Sequence, residues 1–245
     1  MTKLHIMSDL HLELSDFTIP EVQADILILA GDIGISIKDF DPVLESASRY
    51  EYVLMVAGNY EYHKGGVDQG STTHLLNLFK DTNIKLLNNT WFTYKDIRFV
   101  GATLWTDFDN KDELKMKAAK LCMSEFGGLV SYHGKDLCPQ DTTLFHEHSK
   151  LVLGYSDHDE SDKKQIAITH HMPSKKLLPD KHKDSILNAA FASDCEDLMK
   201  TKDMWICGDA NSVADIEIEG CRTIINPRGY PGEDTGFNPK LVVEI

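Results

Sequence analysis

Short runs of apolar residues, rich in β-branched side chains, recur along the chain and alternate with polar stretches. Within a run nearly every position is apolar, which is typical of strands that other layers cover on both faces. Each run ends at a polar residue suited to metal binding or acid–base chemistry. The pattern predicts buried strands over residues 4–9, 24–32, 52–59, 165–171 and 204–209.

Two further regions predict antiparallel pairing instead, because apolar segments there flank short polar turns. The first predicted hairpin spans 89–105 and turns near 95–96, and the second spans 215–227 and turns at 219–220. The closing segment KLVVEI is predicted to be the last strand.

Helical patterns separate these strands. A helix is predicted over 41–49, with Asp41 as its N-cap and Pro42 as its first residue. Two more are predicted over 111–126 and 141–154. Their predicted buried faces are Leu114, Ala118, Leu121 and Cys122 in the first, and Leu144, Phe145, His148, Leu151 and Val152 in the second.

The order of strands and helices predicts an α/β protein in which two packed, mixed sheets are flanked by helices. The sequence contains no internal repeat, low-complexity tract or long Gly/Ser linker. We therefore predict a single domain over 1–245. Polar and helical residues interrupt the strand pattern at about 106–160, which predicts a partly helical insertion.

Composition and charge narrow the functional classes. The 245 residues carry a formal net charge of −14, and 42% of them are hydrophobic, which suffices for a large core. A protein that grips phosphate backbones needs clustered Lys and Arg, so a nucleic-acid partner is not expected. A small phosphorylated substrate stays compatible, because bound cations invert the local field.

The five cysteines have no paired spacing, which favours reduced thiols over a disulfide framework. The amino-terminal MTKLHIMSDLHLE carries charges where a signal peptide needs an apolar block. No apolar run approaches the length of a membrane span. We expect a cytoplasmic protein that does not enter a membrane, and the sequence leaves its oligomeric state open.

Side chains able to bind a divalent cation stand at the ends of the predicted strands. Taken singly, GD or GN after a strand is usually just a turn. Ligands collect at the carboxyl ends of parallel strands, however, so these distant residues are expected to converge. Their oxygen and imidazole donors suit Mn, Fe or Zn without a thiolate. The candidates are Asp9 and His11 in SDLH, Asp32 in GD, Asn59 in GN, His170 in THH, and Asp209 and Asn211 in GDAN.

The chain contains, in order, the segments DLH, GD, GN plus an acidic residue, THH and a glycine-led strand end. This ordered set resembles the pattern of the calcineurin-like metallophosphoesterases. The resemblance covers nearly the whole chain, including NPRGYPGE. It implies a four-layer sandwich of two mixed β-sheets flanked by helices, and a hydrolase that uses two divalent ions. A hydroxide bridging the ions would attack phosphorus in line. The implied ligands are Asp9, His11 and Asp32 for one ion, and Asp32, Asn59 and His170 for the other.

Three positions depart from the family's pattern, which has a histidine after the asparagine of GN and Gly-His-x-His in its last motif. These positions hold Tyr60, Asp209 and Asn211. Asp209 stays a competent, harder ligand that favours Mn or Mg over Zn, whereas Asn211 offers only a neutral carbonyl oxygen. Tyr60, with a reference pKa of about 10, would donate a hydrogen bond to a phosphate oxygen or a leaving group. His63 would substitute for it if the loop folds back.

The sequence therefore predicts a metal-dependent hydrolase of phosphate mono- or diesters with an altered metal site, Mn being the favoured ion. The predicted catalytic residues are Asp32, Asn59 and Tyr60. His171 and Arg228 are predicted substrate contacts, the alternatives being a packed histidine and a loop arginine paired with a surface carboxylate.

Two other functions stay open. One is a non-catalytic descendant of the fold that binds a phosphorylated ligand or a protein partner. The other is a nuclease, against which the acidic balance counts. The substrate itself is not determined by the sequence.

Overall fold

The computed structural model describes residues 1–63, 66–67, 72–155, 163–179 and 184–245, which form two large β-sheets, a short hairpin and several helices. The strands, numbered in chain order, are β1 (Lys3–Met7), β2 (Ile26–Ala30), β3 (Tyr52–Val56), β4 (Ile84–Leu86), β5 (Thr90–Tyr94), β6 (Ile97–Ala102), β7 (Ser131–Tyr132), β8 (Lys135–Asp136), β9 (Lys164–Thr169), β10 (Met204–Cys207), β11 (Ala214–Ile218), β12 (Cys221–Ile225) and β13 (Val242–Glu244).

Both large sheets are mixed. The first has the order β13-β1-β2-β3-β4, in which β1 to β4 run parallel and β13 pairs antiparallel with β1. The second has the order β11-β12-β10-β9-β6-β5, with parallel strands at its centre and an antiparallel strand at each edge. The two edge pairs are the hairpins predicted from the sequence, and β13 is the predicted last strand.

The helices lie outside the sheets. They are α1 (Asp41–Ala47), α2 (Thr73–Phe79), α3 (Phe108–Lys111), α4 (Glu113–Cys122), α5 (Pro139–Tyr155) and α6 (Glu196–Met199), with 3-10 turns at Ile37–Phe40, Tyr60–Tyr62, Ser124–Gly127, Lys175–Leu177 and Ile186–Ala190. Within the described part of the chain, no helix has both the length and the apolar character that crossing a bilayer requires.

Alternate residues of each central strand face opposite layers, because successive strand side chains point to opposite faces. Ile26 and Ile28 of β2 lie between the two sheets, whereas Leu27 and Leu29 pack in the layer that includes residues of α1 and α2. The second sheet repeats this arrangement, with Trp205 of β10 packed in the layer that includes residues of α5 and α6. Each such side chain, fully buried, stabilises the fold by about 1.5–3 kcal/mol. The result is the expected sandwich of two mixed sheets between helical layers.

The buried faces of α4 and α5 differ from the sequence prediction, which was wrong for several residues. In α4 the predicted Leu114 and Leu121 are 69% and 86% exposed, and Met116 and Ala119 are buried instead. In α5 the buried residues include Thr142, Thr143, His146 and Ser149, whereas Leu144 and Leu151 are exposed and His148 faces solvent.

Small hydroxyl side chains take the core side of α5 because the helix itself satisfies them. Thr142 Oγ1 donates to the Pro139 carbonyl at 2.9 Å, and Thr143 Oγ1 to the Gln140 carbonyl at 2.8 Å. The helix also begins at Pro139, two residues before the predicted cap, and the Asp141 carboxylate accepts from the Cys138 amide at 3.0 Å. Similarly, Asp41 is the first residue of α1 rather than its N-cap, which is Phe40.

Candidate metal centre

The polar residues that follow five parallel strands meet at one edge of the sandwich. Asp9 and His11 follow β1, Asp32 follows β2, and Asn59 follows β3 in the first sheet. From the second sheet, His170 follows β9, and Asp209 and Asn211 follow β10. Six of these side chains line a cleft of about 490 Å³, and these are Asp9, His11, Asp32, Asn59, Asp209 and Asn211. His170 lies directly beneath them and is fully buried.

Four of these residues have left-handed backbone conformations, which non-glycine residues rarely adopt. Their φ angles are 51° for Asp9, 45° for His11, 55° for Asp32 and 55° for Asp209. The chain therefore turns sharply after β1, β2 and β10, the strands that these residues follow. Strain of this kind costs on the order of 1–3 kcal/mol per residue and is typical of functional sites.

Glycines allow the strand ends to approach each other closely. A Cβ on Gly31 would lie 2.4 Å from His170 Nδ1, and one on Gly58 would lie 2.1 Å from Asp32 Oδ1. A Cβ on Gly208 would lie 2.6 Å from the Ala30 carbonyl oxygen. Each glycine precedes a site residue and packs against a different strand end. These glycines, which precede Asp32, Asn59 and Asp209, therefore allow the strand ends to pack closely in addition to forming turns.

The first group of donor atoms consists of Asp9, His11 and Asp32, one atom from each lying within 4.8 Å of the others. His11 Nδ1 is 3.0 Å from Glu13 Oε1, so the hydrogen bond assigns the proton to Nδ1 and leaves the lone pair on Nε2. Burial opposes a charge on His11, but this bond together with Asp32 and Asp9 raises its pKa. The first group thus combines an oriented imidazole with two carboxylates.

The second group surrounds His170. Its Nδ1 donates to the Ala30 carbonyl at 3.0 Å, which leaves the Nε2 lone pair facing the cleft. Asn59 Oδ1 lies 3.0 Å from that Nε2, Asp32 Oδ1 3.4 Å and Asp209 Oδ1 4.0 Å. Two donors held about 2.1 Å from one ion lie about 3.0–4.2 Å apart, so all three distances suit a shared cation.

The orientation of the Asn59 amide is fixed by Glu125. Asn59 Nδ2 donates to Glu125 Oε1 in a short hydrogen bond, which turns Oδ1 towards His170. Two acceptors therefore face each other at 3.0 Å without a proton between them when His170 is neutral. A cation between these atoms satisfies both.

Asp9, Asp32 and Asp209 are largely buried, and among the described residues their nearest basic side chains are histidines. Burial raises the pKa of Asp9 to about 6. It also raises the pKa of Asp32 and of Asp209 well above the usual range, and neighbouring carboxylates add to the shift. Among the described residues, those that line the cleft include no lysine or arginine.

The donor set of this structure fits divalent cations. Asp9 Oδ2, Asp209 Oδ2 and Asn211 Oδ1 are buried and have no hydrogen-bond partner among the described residues. Unpaired buried acceptors and carboxylates cost several kcal/mol, and a metal ion offsets both costs at once. Oxygen and imidazole donors of this kind favour Mn, Fe, Mg or Zn.

We expect that Mn²⁺ added to chelator-treated protein raises its melting temperature, because the ion binds the folded state alone. At 100 times the dissociation constant, one site contributes about 2.7 kcal/mol, or about 5–10 °C for a chain of this size. Thermal unfolding followed with and without Mn²⁺ measures the effect. No shift with Mn²⁺, Fe²⁺, Zn²⁺ or Mg²⁺ would contradict the metal centre.

Two glutamates support the site, and sequence reasoning assigned a role to neither of them. Glu61 is 2% exposed and accepts from the backbone amides of Asp32, Ile33, Gly34 and Gly58, at distances from 2.6 to 3.1 Å. It thereby joins the loops after β2 and β3. Glu61 is the acidic residue that follows GN in the sequence motif. Glu125, in contrast, lies in the region around α4, and nothing in its sequence context indicates a role.

Tyr60 lies at the mouth of the cleft, beside the first donor group. Its hydroxyl is 2.7 Å from that of Tyr230, and both rings contact the His11 ring, with centroids 4.6 and 4.5 Å away. Burial raises the pKa of Tyr60 above 10, so it stays protonated and donates hydrogen bonds. His63 stacks against Tyr60 with centroids 4.4 Å apart and does not line the cleft, so it does not replace Tyr60 there.

The two predicted substrate contacts do not lie on the cleft surface. Arg228 donates to the carbonyls of Leu10, Ser15 and Asp16 and to the Ser15 hydroxyl, at 2.7 to 3.2 Å. Its guanidinium thus holds the loop after His11. His171 is 4% exposed and lies beside Asp209. Substrate contact by either residue stays a prediction.

Comparison with known proteins supports the fold. The structure superimposes on phosphopantetheinyl hydrolase from Mycobacterium tuberculosis with a TM-score of 0.71 and 16% identity, covering 94% of this chain and 90% of that one. A putative 5′-nucleotidase from Staphylococcus aureus matches with a TM-score of 0.51 and 12% identity, covering 93% of this chain and 48% of that one. The chain therefore has a metallophosphoesterase-like fold.

Sequence comparison adds less. An uncharacterized protein of Acanthamoeba polyphaga mimivirus is 27% identical over 278 residues, spanning 100% of this chain and 97% of that protein. No protein-family model matches the chain.

Proposed function

We propose that this protein, which has a metallophosphoesterase-like fold, is a member of the calcineurin-like metallophosphoesterases. It hydrolyses phosphate mono- or diesters at an altered metal site. The observation that carries the proposal is the pair of donor groups joined by Asp32. Asp32 belongs to the group with Asp9 and His11, and its Oδ1 also lies 3.4 Å from His170 Nε2.

The two groups supply separate ion sites that share one carboxylate. The first ion would be held by Asp9, His11, Asp32 and Asn211, and the second by Asp32, Asn59, His170 and Asp209. Two divalent ions there would acidify a water molecule and neutralise the phosphoryl oxygens. Mn²⁺ is favoured, because Asp209 and Asn211 bring hard oxygen donors where the family has imidazoles.

The chain's own residues would orient the substrate. Tyr60 and Tyr230 place two hydroxyls at the mouth of the cleft, and the high pKa of Tyr60 makes it a hydrogen-bond donor rather than a proton donor. Asn59, held by Glu125, presents a fixed carbonyl oxygen. The proposed catalytic set is Asp32, Asn59 and Tyr60.

The walls of the cleft favour a small substrate with an uncharged group. The wall contributed by the loops after β9 and the region around α4 is largely apolar and includes Met123, Met172, Leu178, Leu187 and Phe191. Apolar walls bind an apolar group by removing it from water, whereas the lack of lysine and arginine among the described lining residues disfavours polyanions such as nucleic acid. We therefore expect one phosphate carried on an apolar or aromatic moiety.

Metal analysis combined with hydrolysis assays tests the proposal. Protein purified without chelator should contain two divalent ions per chain and hydrolyse bis(nitrophenyl) phosphate or nitrophenyl phosphate in added Mn²⁺. Chelation should abolish turnover and Mn²⁺ should restore it. No tight ion and no turnover of either ester with any divalent metal would contradict the proposal and favour the non-catalytic alternative, to which the loss of three family histidines points.

Restoring histidine at Tyr60, Asp209 and Asn211 is expected to raise affinity for Zn²⁺ and to speed turnover. Imidazole is a softer and stronger ligand than an amide, and histidine at 60 provides a proton donor with a pKa of about 6.5. We expect at least about a tenfold rise in kcat/KM, which corresponds to about 1.4 kcal/mol. Zinc titration and steady-state kinetics compare the two proteins, with Tyr155→His on the surface as a control. A triple variant indistinguishable from the wild type would contradict the proposed part of these three positions in metal binding and turnover.

A further inference from the structure

A buried histidine beside the second donor group has no role in either ligand set described above. His171 follows His170 directly, and one donor atom from each of His170, His171 and Asp209 lies within 4.8 Å of the others. The family pattern assigns the first histidine of THH to the metal site and leaves the second unassigned. The structure brings both imidazoles to the same carboxylate.

Hydrogen bonding determines which nitrogen of His171 faces Asp209. Nδ1 lies 3.2 Å from the Thr103 carbonyl, which accepts a proton and therefore assigns the N–H to Nδ1. Nε2 then carries a lone pair and lies 3.6 Å from Asp209 Oδ2. That oxygen is buried and has no hydrogen-bond partner among the residues that the structure describes. The Nε2 lone pair of neutral His171 and this unpartnered carboxylate oxygen thus face each other without a proton between them.

The spacing of these atoms fits one ion. Asp209 Oδ1 is 4.0 Å from His170 Nε2, and its Oδ2 is 3.6 Å from His171 Nε2. Both lie in the range of about 3.0–4.2 Å expected for two donors of one cation. The two rings are nearly perpendicular, at 89°, so they approach a shared ion from different directions.

The fold holds His171 in this position. Its backbone amide donates to the Thr103 carbonyl at 3.1 Å, and its ring packs against Trp105 with centroids 5.3 Å apart. Strand β9 ends at Thr169, so the two histidines lie beyond the regular alternation and both turn towards Asp209. His171 is buried and is not among the residues that line the cleft.

We propose that His171 is a ligand of the second ion and supplies the imidazole that Asp209 replaced. The second site then has donors from Asp32, Asn59, His170, His171 and Asp209, whereas the first has Asp9, His11, Asp32 and Asn211. The second site, which has more donor residues, binds its ion more tightly and tolerates softer ions such as Zn²⁺. This inference rests on the proposed metal centre, but it concerns one ligand that the family pattern does not include.

Nuclear magnetic resonance of the Co²⁺-loaded full-length protein tests the assignment without relying on activity. Each ligated imidazole contributes one exchangeable N–H signal shifted by the paramagnetic ion, protected here by Glu13 for His11, Ala30 for His170 and Thr103 for His171. We expect three such signals in the wild type and two in His171→Gln. The matched control is His5→Gln, because His5 is equally buried and bonds to Tyr50 and Pro239 away from the site.

Calorimetric titration with Mn²⁺ measures the energetic consequence. His171→Gln should weaken the tighter of two binding steps by more than about 100-fold, which exceeds the 10–100-fold typical of residues that only orient a ligand. Asn211→Ala should weaken the other step and leave the tighter one intact. His5→Gln should change neither.

Two shifted signals in the wild-type protein would overturn the assignment even if His171→Gln did not fold. A third bound ion, lost in His171→Gln while two stay, would also overturn it, because His171 and Asp209 would then form a separate site. If the wild type bound no ion, the proposed function would fail together with this inference. Two bound ions with His171 unligated would remove this inference alone.

Discussion

Replacing Asp32 by asparagine is expected to remove tight binding of both ions and to lower turnover by about 1,000-fold, or about 4 kcal/mol of transition-state stabilisation. Asp32 contacts both donor groups, through Asp9 and His11 on one side and His170 on the other. Asparagine has the same shape and keeps an oxygen for the Tyr60 amide, which donates to Asp32 Oδ1 at 2.9 Å. The loop is therefore expected to stay in place while the charge is lost.

The same substitution should leave the metal-free protein at least as stable as the wild type. Burial and the neighbouring Glu61 raise the pKa of Asp32, which shows that its charge is unfavourable without a cation. The neutral amide removes that cost, so only the stabilisation by Mn²⁺ is lost. Melting curves with and without Mn²⁺ distinguish this result from misfolding.

Asp9→Asn provides the matched control for the shared ligand. Asp9 belongs to the first donor group, so its replacement should remove one ion and leave the ion at His170 bound. Metal content of about one ion per chain for Asp9→Asn and about none for Asp32→Asn is the expected pattern. Equal metal content in the two variants would show that Asp32 does not bridge the sites.

Replacing Gly58 by alanine is expected to reduce turnover by about 100-fold and to destabilise the protein by about 1–3 kcal/mol. The added Cβ would lie 2.1 Å from Asp32 Oδ1 and 2.6 Å from the Asp32 amide nitrogen, where no atom fits. The Gly58 amide also donates to Glu61 at 2.6 Å, which opposes a shift of the loop away from Asp32. Asp32 or Asn59 must shift, and the ion sites change shape.

Gly154→Ala is the matched control for this change. Gly154 lies in α5, and its Cβ would meet Leu198 at an ordinary contact distance of 3.4 Å. Alanine in a helix is favoured over glycine by roughly 0.5–1 kcal/mol, so this variant should be slightly more stable and fully active. Chemical unfolding and metal titration compare both variants with the wild type. Full activity in Gly58→Ala would mean that the close approach of the two loops is not needed.

Much of the site's position could be predicted from sequence, because it follows from the strand pattern. Continuous apolar runs mark strands covered on both faces, and the polar residue after each run lies at the carboxyl edge. This reasoning placed Asp9, Asp32 and His170 at one edge without any contact being known. It did not place helix faces, because α5 buries hydroxyls that its own carbonyls satisfy.

The partners of each site residue depend on loop paths that local patterns do not encode. Arg228 lies 218 residues from Leu10 in sequence, yet its guanidinium donates to the Leu10 carbonyl at 2.7 Å. Glu125 reaches Asn59 from the region around α4, 66 residues away. Neither contact follows from periodicity or spacing, since both require the two sheets and the intervening loops to be packed.

The sequence by itself determined which side chains stand at the strand ends and in what order, since apolar periodicity and the residue that stops it are local properties. Only the tertiary structure decided what each of those side chains faces. The left-handed turns at Asp9, His11, Asp32 and Asp209 and the close approach of Gly31, Gly58 and Gly208 set those directions. Such turns form because packing of the two sheets outweighs the local backbone strain, and that balance belongs to the folded chain as a whole.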